Sequence, residues 1–313
     1  VIIRDLVREN ELSVKDFILP IFVVEGENIK REISSLKGNY HWSVDRLGEL
    51  VKELKETAVR SVIIFGVPEH KDCKGTEAYN EDGIVQKAIR KLRELDDELY
   101  IITDVCMCEY TDHGHCGILH GKSIDNDETL EYLGKIALSH AKAGAHMIAP
   151  SDMMDGRIGH IRKVLDDNGF KMTPIMSYAA KYASGFYGPF REAAGSAPQF
   201  GDRKGYQMDP ANSREAMLEI EADINEGADI IMVKPAMSYL DIVREARNRY
   251  DVPLCVYNVS GEYAMVKSAG EAGLIDEKRV ALEMLMSMKR AGAKMIMTYY
   301  AIEAARWLKE DSN

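Results

Sequence analysis

The feature that most constrains the fold is a repeated alternation of short apolar runs with longer segments of helical period. Eight apolar runs occur, and they are continuous rather than alternating, which is typical of parallel strands buried on both faces. They cover residues 18–23, 61–67, 99–105, 145–151, 171–178, 229–234, 253–259 and 294–300. Between and after them lie helical segments at 43–58, 81–95, 126–144, 155–169, 213–227, 237–250, 261–273 and 276–292.

Four of the helical segments end in a glycine that stands one or two residues before the next strand: Gly144, Gly169, Gly227 and Gly292. Glycine accepts the left-handed backbone that ends many helices. Ser43 is the predicted N-cap of the first long helix. These signals reinforce the strand–helix alternation.

The alternation predicts an α/β protein with a (β/α)8 TIM barrel, since the pattern covers roughly 280 residues, a typical length for that fold. A doubly wound open sheet is the alternative. Against it, none of the predicted strands is followed by a glycine-rich dinucleotide-binding sequence.

The predicted barrel covers residues 17–313, and residues 1–16 are expected to form an N-terminal arm. Because the chain opens on Val1 rather than Met, we expect the arm to be truncated. The glycine-rich segment at about 181–212 is too long for an ordinary loop after a strand. It therefore predicts a lid over the active site.

Charge and cysteine usage narrow the function classes. The chain has 40 basic and 51 acidic residues and a net charge of −11, which argues against non-specific nucleic-acid binding. No apolar run reaches the roughly 18 residues that cross a membrane. Five cysteines, three of them clustered, indicate cytoplasmic thiols that serve a metal or a reaction.

Polar residues collect where the predicted strands end. Barrel enzymes build their active sites at the carboxyl ends of the strands. The residues at or just after those ends are Asp104, Ser151, Asp152, Lys181, Lys234, Ser260, Thr298 and Tyr299. The sequence therefore predicts one cavity that combines two lysines, carboxylates and hydroxyl groups.

The stretch "CMCEYTDHGHC" directly follows Asp104 and contains Cys106, Cys108 and Cys116. The first two are too close in sequence for an easy disulfide, whereas three thiolates suit Zn²⁺. Three interpretations remain open: unliganded thiols, a closed structural zinc completed by His113 or His115, and an open zinc site facing the cavity. The position of the stretch in the predicted barrel favours the open site.

Lys234 ends an apolar strand, where burial and a second lysine would both lower the pKa of its amine. A neutral lysine amine forms a Schiff base with a ketone. The alternative is a lysine that only reaches solvent at the barrel rim.

Arg191, Arg203 and Gln207 lie in the predicted lid, and arginine binds carboxylates in a bidentate manner. The expected substrate is therefore an anionic ketone.

These motifs together resemble the porphobilinogen synthase (5-aminolevulinate dehydratase) family over nearly the whole chain. The matching segments are "DVCMCEYTDHGHCG", "SDMMDGR", "SYAAKYASGFYGPFREAAGSAP", "GDRKGYQMDPAN", "MVKPAMSYLD", "YNVSGEYAM" and "MTYY". The resemblance implies a (β/α)8 barrel and a lyase that condenses two 5-aminolevulinate molecules to porphobilinogen with loss of two waters, in tetrapyrrole (heme) biosynthesis.

The resemblance also implies roles at the first substrate's site. Lys234 would form the Schiff base, and Ser260 and Tyr299 would hold the carboxylate. At the second site, Lys181 would bind the ketone.

The remaining implied roles belong to the second site and its metal. The lid residues Arg191, Arg203 and Gln207 would grip the second substrate's carboxylate. Asp104, Ser151 and Asp152 would line that site. The three clustered cysteines, Cys106, Cys108 and Cys116, would hold a catalytic Zn²⁺.

Two positions refine the resemblance. Gly205 stands where some zinc-dependent members carry a cysteine, so we expect no second zinc site at His115. Glu219 matches the glutamate that binds an allosteric Mg²⁺ in other members. The family forms homo-octamers through its N-terminal arm, so an octamer is the expected assembly.

Two other functions remain alternatives at this point. One is an aldolase-type lyase with a single Schiff-base lysine and no role for metal. The other is a non-catalytic zinc-binding or assembly protein that retains the barrel. The pair of lysines argues against the second alternative.

Overall fold

The structure is a computed structural model and describes residues 2–311. The strands in this range are β1 (Phe17–Val24), β2 (Lys30–Glu32), β3 (Tyr40–Ser43), β4 (Ser61–Val67), β5 (Tyr100–Val105), β6 (Ile118–His120), β7 (Ser123–Asp125), β8 (Met147–Pro150), β9 (Met176–Lys181), β10 (Ile230–Lys234), β11 (Leu254–Asn258) and β12 (Met295–Thr298). The α-helices are α1 (Ile2–Leu6), α2 (Leu47–Thr57), α3 (Ile84–Leu95), α4 (Asn126–Ala143), α5 (Arg157–Asp167), α6 (Gly188–Ala193), α7 (Arg214–Asn225), α8 (Leu240–Arg249), α9 (Ser260–Glu271), α10 (Glu277–Ala291) and α11 (Ala301–Asp311).

Eight parallel strands form the barrel, in the spatial order β8-β5-β4-β1-β12-β11-β10-β9. A parallel bridge between Ile148 on β8 and Ile175, just before β9, connects the two ends of this order. The sheet therefore curls round on itself, and its outer face is covered by helices. The TIM barrel prediction is confirmed, and the open doubly wound sheet is wrong.

The continuous apolar pattern of the strands has the expected cause. All eight residues of β1, sequence "FILPIFVV", are buried, because one face packs inside the barrel and the other under the helices. The helices contribute apolar stripes to the same core, such as the buried leucines at positions 47, 50 and 54 of α2.

The strand predicted at 171–178 corresponds to β9, which begins later than predicted. Residues 171–175 lie outside β9, and the Met172 side chain is 93% exposed. A turn in which the Thr173 amide donates to the Phe170 carbonyl precedes Pro174, which has no amide hydrogen to contribute to a sheet. As a result, Lys181 is the last residue of β9 rather than a loop residue after it.

The four predicted glycine stops are confirmed by their backbone. Gly144, Gly169, Gly227 and Gly292 have φ values of 107°, 87°, 106° and 130°, a region that other residues rarely adopt. Ser43 occupies the predicted N-cap position, before a 3-10 turn at Val44–Arg46 that leads into α2, but its hydroxyl makes no cap bond and accepts from the Ile29 amide at 2.8 Å instead.

Several elements lie outside the predicted alternation. The hairpins β2–β3 and β6–β7 are additions to the eight-stranded barrel, and α11 follows the last strand. The segment at 181–212 contains a 3-10 turn at Gly185–Tyr187 followed by α6, so it is partly helical rather than a simple loop. Among residues 2–311, no helix is both long enough and apolar enough to cross a membrane.

The N-terminal segment differs in burial from the barrel. Helix α1 carries apolar side chains that are between 65% and 77% exposed, at Ile2, Ile3 and Leu6, with Val7 directly after it. The division into an arm at 1–16 and a barrel at 17–313 stays a prediction; Val1, Ser312 and Asn313 lie outside the described residues.

Candidate active site

Two lysines face each other across neighbouring strands. Lys181 ends β9 and Lys234 ends β10, and the two residues are paired in the sheet register. Each is only 5% exposed. They line one narrow cavity together with Cys108, Glu109, Ser151, Arg191 and Arg203. The predicted convergence of both lysines on one site is confirmed.

Aromatic rings surround the Lys234 amine. Its Nζ lies 4.3 Å from the ring centre of Tyr257, and 5.1–5.2 Å from those of Tyr178, Tyr187 and Phe190. Ring faces attract an ammonium by about 0.5–2 kcal/mol, whereas removing it from water costs several kcal/mol. Burial, helped by the charge of Lys181, lowers the pKa of Lys234 to about 7.

Lys181 has polar neighbours instead. Its Nζ donates to the Ser151 backbone carbonyl, and the Ser151 hydroxyl donates to Asp104 Oδ2 at 3.0 Å. Burial, with the nearby charge of Glu109, raises the pKa of Asp104 to about 8. Asp104 Oδ1 has no hydrogen-bond partner among residues 2–311, so it is free to bind a group that enters the site.

Asp152 is fully buried next to Ser151 and is not among the residues that line the lysine cavity. Its Oδ1 accepts from the Met154 amide at 2.8 Å, and its Oδ2 lies 3.7 Å from Arg157 Nε. Arg157 also forms a two-pronged contact with the buried Asp223, at 3.2 Å for each nitrogen. Burial raises the pKa of Asp152 to about 6, although Arg157 opposes the shift. Asp152 is therefore held by a buried ion network behind Ser151.

The three cysteines predicted to bind metal converge. Their Sγ atoms all lie within 4.8 Å of one another, and those of Cys106 and Cys108 are 3.4 Å apart. A tetrahedral zinc with bonds of about 2.3 Å needs sulfurs about 3.8 Å apart, so the cluster fits such an ion. The thiols are buried and none is in a disulfide.

The three buried thiols share hydrogen bonds, and the pKa of Cys116 is lowered while those of Cys106 and Cys108 are raised. Hydrogen bonds from Cys106 and Cys108 hold the pKa of the Cys116 thiol well below its usual value, and the charges of Arg203 and Lys181 act in the same direction. Among residues 2–311, no histidine or carboxylate completes this group of three. Three protein ligands leave one position of a tetrahedral metal open.

The two histidines of the cysteine stretch contact other groups. His113 Nδ1 accepts from the His115 amide at 3.1 Å. The His115 ring lies 3.0 Å from the Phe200 carbonyl and 3.3 Å from the Tyr206 hydroxyl, both in the lid. His115 therefore joins the cysteine loop to the lid.

The lid presents three buried hydrogen-bond donors. Arg203 donates through one terminal nitrogen to the backbone carbonyls of Gly114 and Ser196. Within the described residues, the Nε atoms of Arg191 and Arg203 and the Nε2 atom of Gln207 are buried without a partner. All three residues line a second cavity at the lid. Unpaired buried donors favour an acceptor-rich ligand such as a carboxylate.

Ser260 and Tyr299 lie on the Lys234 side. The Ser260 hydroxyl accepts from the Phe190 amide at 3.0 Å and donates to the Phe186 carbonyl at 3.3 Å, which anchors the start of the lid. The Tyr299 hydroxyl lies 2.9 Å from that of Tyr257, whose ring covers Lys234. Ser260 and Tyr299 therefore each contact a residue whose ring lies beside the Lys234 amine, Phe190 and Tyr257 respectively.

Glu219 lies elsewhere, on α7, in a cavity that it shares with Asp155, Glu215 and Asn126. Burial, with the nearby charges of Asp155 and Asp223, raises the pKa of Glu219. Within residues 2–311, Glu219 is not in a tight group of three metal-ligating side chains.

Sequence reasoning missed Glu109, Tyr178 and Tyr257. Glu109 Oε2 accepts from the Cys108 thiol at 3.2 Å and lines the lysine cavity. Tyr178 and Tyr257 lie within apolar strands, where sequence analysis assigns an aromatic residue to the hydrophobic core. The available signal was their position on barrel strands, within three residues of a strand end that carries polar groups.

Comparison with known proteins gives one consistent family. The family model described as Delta-aminolevulinic acid dehydratase matches residues 1–307. The Bacillus subtilis (strain 168) protein of that name is 55% identical over 98% of this chain and 95% of its own length. The corresponding protein from Halalkalibacterium halodurans is 54% identical, over 99% and 94%.

A solved structure agrees. The delta-aminolevulinic acid dehydratase (porphobilinogen synthase) of Toxoplasma gondii ME49, in complex with the reaction product porphobilinogen, superposes with a TM-score of 0.97 at 44% identity, over 99% of this chain and 89% of that one. The family match, the sequence identities and the shared barrel extend over nearly the full chain. This chain therefore belongs to the delta-aminolevulinic acid dehydratase family of lyases.

Proposed function

We propose that this porphobilinogen synthase condenses two molecules of 5-aminolevulinate into porphobilinogen through Schiff-base lysines assisted by a three-cysteine zinc site. The observation that carries the proposal is the pairing of Lys181 with Lys234 in one cavity that Cys108 also lines. An asymmetric condensation of two identical ketones needs two ketone-binding groups in different surroundings, and the two lysines meet that requirement.

The first substrate reacts at Lys234. With a pKa of about 7, a large share of this amine is neutral at neutral pH and can attack the ketone carbon. The ketone oxygen leaves as water and a carbon–nitrogen double bond forms. The rings of Tyr187 and Phe190 exclude water, which protects the imine from hydrolysis. Ser260 and Tyr299 are the proposed ligands of this substrate's carboxylate.

The second substrate binds between Lys181 and the lid. Lys181 takes its ketone, and Arg191, Arg203 and Gln207 take its carboxylate, since each has a buried donor with no partner among residues 2–311. We assign proton transfer here to Asp104, whose Oδ2 is held by Ser151 while Oδ1 is free. Asp152, bound to Arg157, is assigned to supporting Ser151 rather than to reacting.

Cys106, Cys108 and Cys116 are the proposed zinc ligands, because their spacing and burial fit a thiolate site with one open position. When bound, the metal would supply a Lewis acid and lower the pKa of a coordinated group beside the second substrate. Arg203 and Lys181 offset the negative charge of the thiolates from the cavity side.

A second metal is proposed at Glu219. Mg²⁺ commonly binds through one or two carboxylates and keeps several waters, so a complete protein shell is not required. The cavity around Glu219 contains Asp155 and Glu215 as further oxygen donors. We propose an activating Mg²⁺ there, outside the lysine cavity.

The assembly and location follow from other features. We propose a homo-octamer that uses the exposed apolar residues of the arm, Ile2, Ile3 and Leu6, as contacts. We propose a cytoplasmic enzyme, since all five cysteines are free thiols, which persist in a reducing compartment. Neither a nucleic acid nor a membrane is among the proposed partners.

Two measurements test the proposal together. Colorimetric detection of porphobilinogen from 5-aminolevulinate, without and with a chelator and then with added Zn²⁺ or Mg²⁺, tests the reaction and its metals. Borohydride reduction with substrate present, followed by peptide mass spectrometry, is expected to give an adduct at Lys234. Product formation without an adduct at Lys234 would contradict the Schiff-base assignment, and full activity in zinc-free enzyme would favour the aldolase-type alternative.

A further inference from the structure

A buried hydrogen-bonded chain joins the ends of three neighbouring barrel strands. We propose that Glu262, Asn258 and Thr298 form a strap that positions Lys234, Ser260 and Tyr299 for the first substrate. The inference rests on the proposed Schiff-base function of Lys234. The three strap residues are positioning residues, since they act through the groups that would touch the substrate.

Glu262 is the centre of the strap. It is 0% exposed and its two oxygens accept four hydrogen bonds. Oε1 accepts from the backbone amides of Ala236 and Met237, at 3.2 and 2.7 Å. Oε2 accepts from the Val259 amide at 3.1 Å and from Asn258 Nδ2 at 2.9 Å. One carboxylate therefore ties the loop after β10 to the end of β11.

The chain continues to β12. Asn258 Oδ1 accepts from the Thr298 hydroxyl at 2.8 Å, and the Thr298 oxygen accepts from the Tyr300 amide at 3.1 Å. Asn258 and Thr298 are both 0% exposed and are paired in the sheet register. Four polar groups in a row are thus satisfied without solvent, which makes the arrangement rigid.

The positions of these bonds give the strap its role. Ala236 lies two residues after Lys234, Val259 lies directly before Ser260, and Tyr300 lies directly after Tyr299. Each residue proposed to hold the first substrate is therefore next to, or two residues from, a backbone group that the strap fixes. Displacing a reacting group by about 1 Å can cost about 10²-fold in rate.

The chemistry demands a carboxylate at position 262. All four contacts to Glu262 are donors, so the acceptor-only carboxylate satisfies them, even though burial raises its pKa to about 7. Glutamine has nearly the same shape but would point an NH₂ group at two donors. Glu262→Gln therefore breaks half of the contacts while preserving the packing.

The test compares three variants by the rate of borohydride-trapped adduct formation at Lys234, per folded protein. Glu262→Gln is expected to slow trapping by about 10²-fold and to raise KM for 5-aminolevulinate. Thr298→Val, which removes the end of the strap, is expected to slow trapping several-fold. Thermal unfolding of each variant is measured alongside.

Thr129→Val is the matched control. Thr129 is also 0% exposed, its hydroxyl donates to the Asp125 carbonyl and accepts from the Ile118 amide, and it lies on α4 outside the strap. We expect it to lower the unfolding temperature about as much as Thr298→Val while leaving trapping per folded protein unchanged.

The outcomes separate the two proposals. An equal effect of Thr298→Val and Thr129→Val on trapping would overturn the strap, and so would a folded Glu262→Gln enzyme with the wild-type rate. If Glu262→Gln does not fold, the comparison of the two threonine variants decides alone. No adduct at Lys234 in the wild-type enzyme would instead overturn the proposed Schiff-base function.

Discussion

Lys234 and Lys181 end adjacent strands of the same barrel, yet their nearest neighbours differ. Four aromatic rings enclose the Lys234 amine. The Lys181 amine donates to a backbone carbonyl and lies beside the Ser151–Asp104 pair. Two residues of one type, in register with each other, can therefore serve two substrates differently because their neighbours differ.

The difference indicates a division of labour. On the aromatic side, burial and the charge of Lys181 lower the pKa of the Lys234 amine, which suits formation of an imine. The polar side contains a carboxyl group, the cysteine cluster and the lid cations, which suit a substrate whose own amine must be held and deprotonated. The following predictions test this division, from the largest expected effect to the smallest.

The largest effect is expected from replacing each lysine. Lys234→Met should reduce porphobilinogen formation by a factor on the order of 10⁴ and abolish the trapped adduct, because the covalent path is lost. Lys181→Met should also remove product formation but retain an adduct at position 234. Lys267→Met is the control, since Lys267 pairs with Glu277 and Glu303 on the outer layer. A Lys234→Met enzyme that still makes product would contradict the proposed covalent role of Lys234.

Disrupting the proposed zinc site should affect only the polar side. Cys108→Ala, or a strong chelator, is expected to reduce turnover by a factor on the order of 10³ while the adduct at Lys234 still forms. Circular dichroism should show a retained fold, and Cys73→Ser, at an exposed cysteine, should behave as wild type. Global unfolding on chelation would point to a structural metal.

The lid is expected to contribute to binding more than to chemistry. Arg191→Ala should raise KM by about 10-fold with a smaller change in kcat, since it removes a charge-assisted bond to a carboxylate that is present before and during reaction. Lys204→Ala is the control. The Lys204 side chain is 80% exposed, and its Nζ lies 3.8 Å from Asp202 Oδ2, so the ion pair is a weak surface contact. Steady-state kinetics of both variants measure the difference, and equal KM values would refute the assignment.

The smallest effect is a pH dependence of trapping at Lys234. Burial lowers the pKa of this amine to about 7, and the neutral amine is the nucleophile, so the rate should rise with pH through 7 and then level off. The increase between pH 6 and 8 should be about tenfold. Lys181→Met removes a nearby positive charge. Without that charge the ammonium form of Lys234 is more stable, so the midpoint should move to higher pH. An unchanged midpoint would show that the charge of Lys181 does not affect the pKa of Lys234.

Much of the barrel could be predicted because its signals are local. Continuous apolar runs indicate strands buried on both faces, and glycines such as Gly144 and Gly292 end helices whatever the rest of the chain does. The error at residues 171–175 arose where an apolar residue, Met172, is exposed. Apolar character alone does not distinguish such a turn from a strand.

The candidate site was predictable where position along a strand determines direction. Lys181, Lys234 and the three cysteines follow barrel strands, and parallel strands present their carboxyl ends to one mouth. Asp152 was placed with them on the same grounds, but its carboxylate turns to Arg157. Ser151 and Asp152 are adjacent in the chain, yet the Ser151 hydroxyl donates to Asp104 while the Asp152 carboxylate contacts Arg157.

The sequence by itself determined the strand–helix order, the helix ends and the chemical types that reach the mouth of the barrel, because these depend on neighbours a few residues apart. Only the tertiary structure decided which lysine is enclosed by aromatic rings, which lid donors have no partner among the described residues, and that Glu262, Asn258 and Thr298 together join the ends of three strands. Those properties depend on burial and on bonds between residues far apart in the sequence, such as the 40 positions between Asn258 and Thr298 and the 89 positions between Gly114 and Arg203.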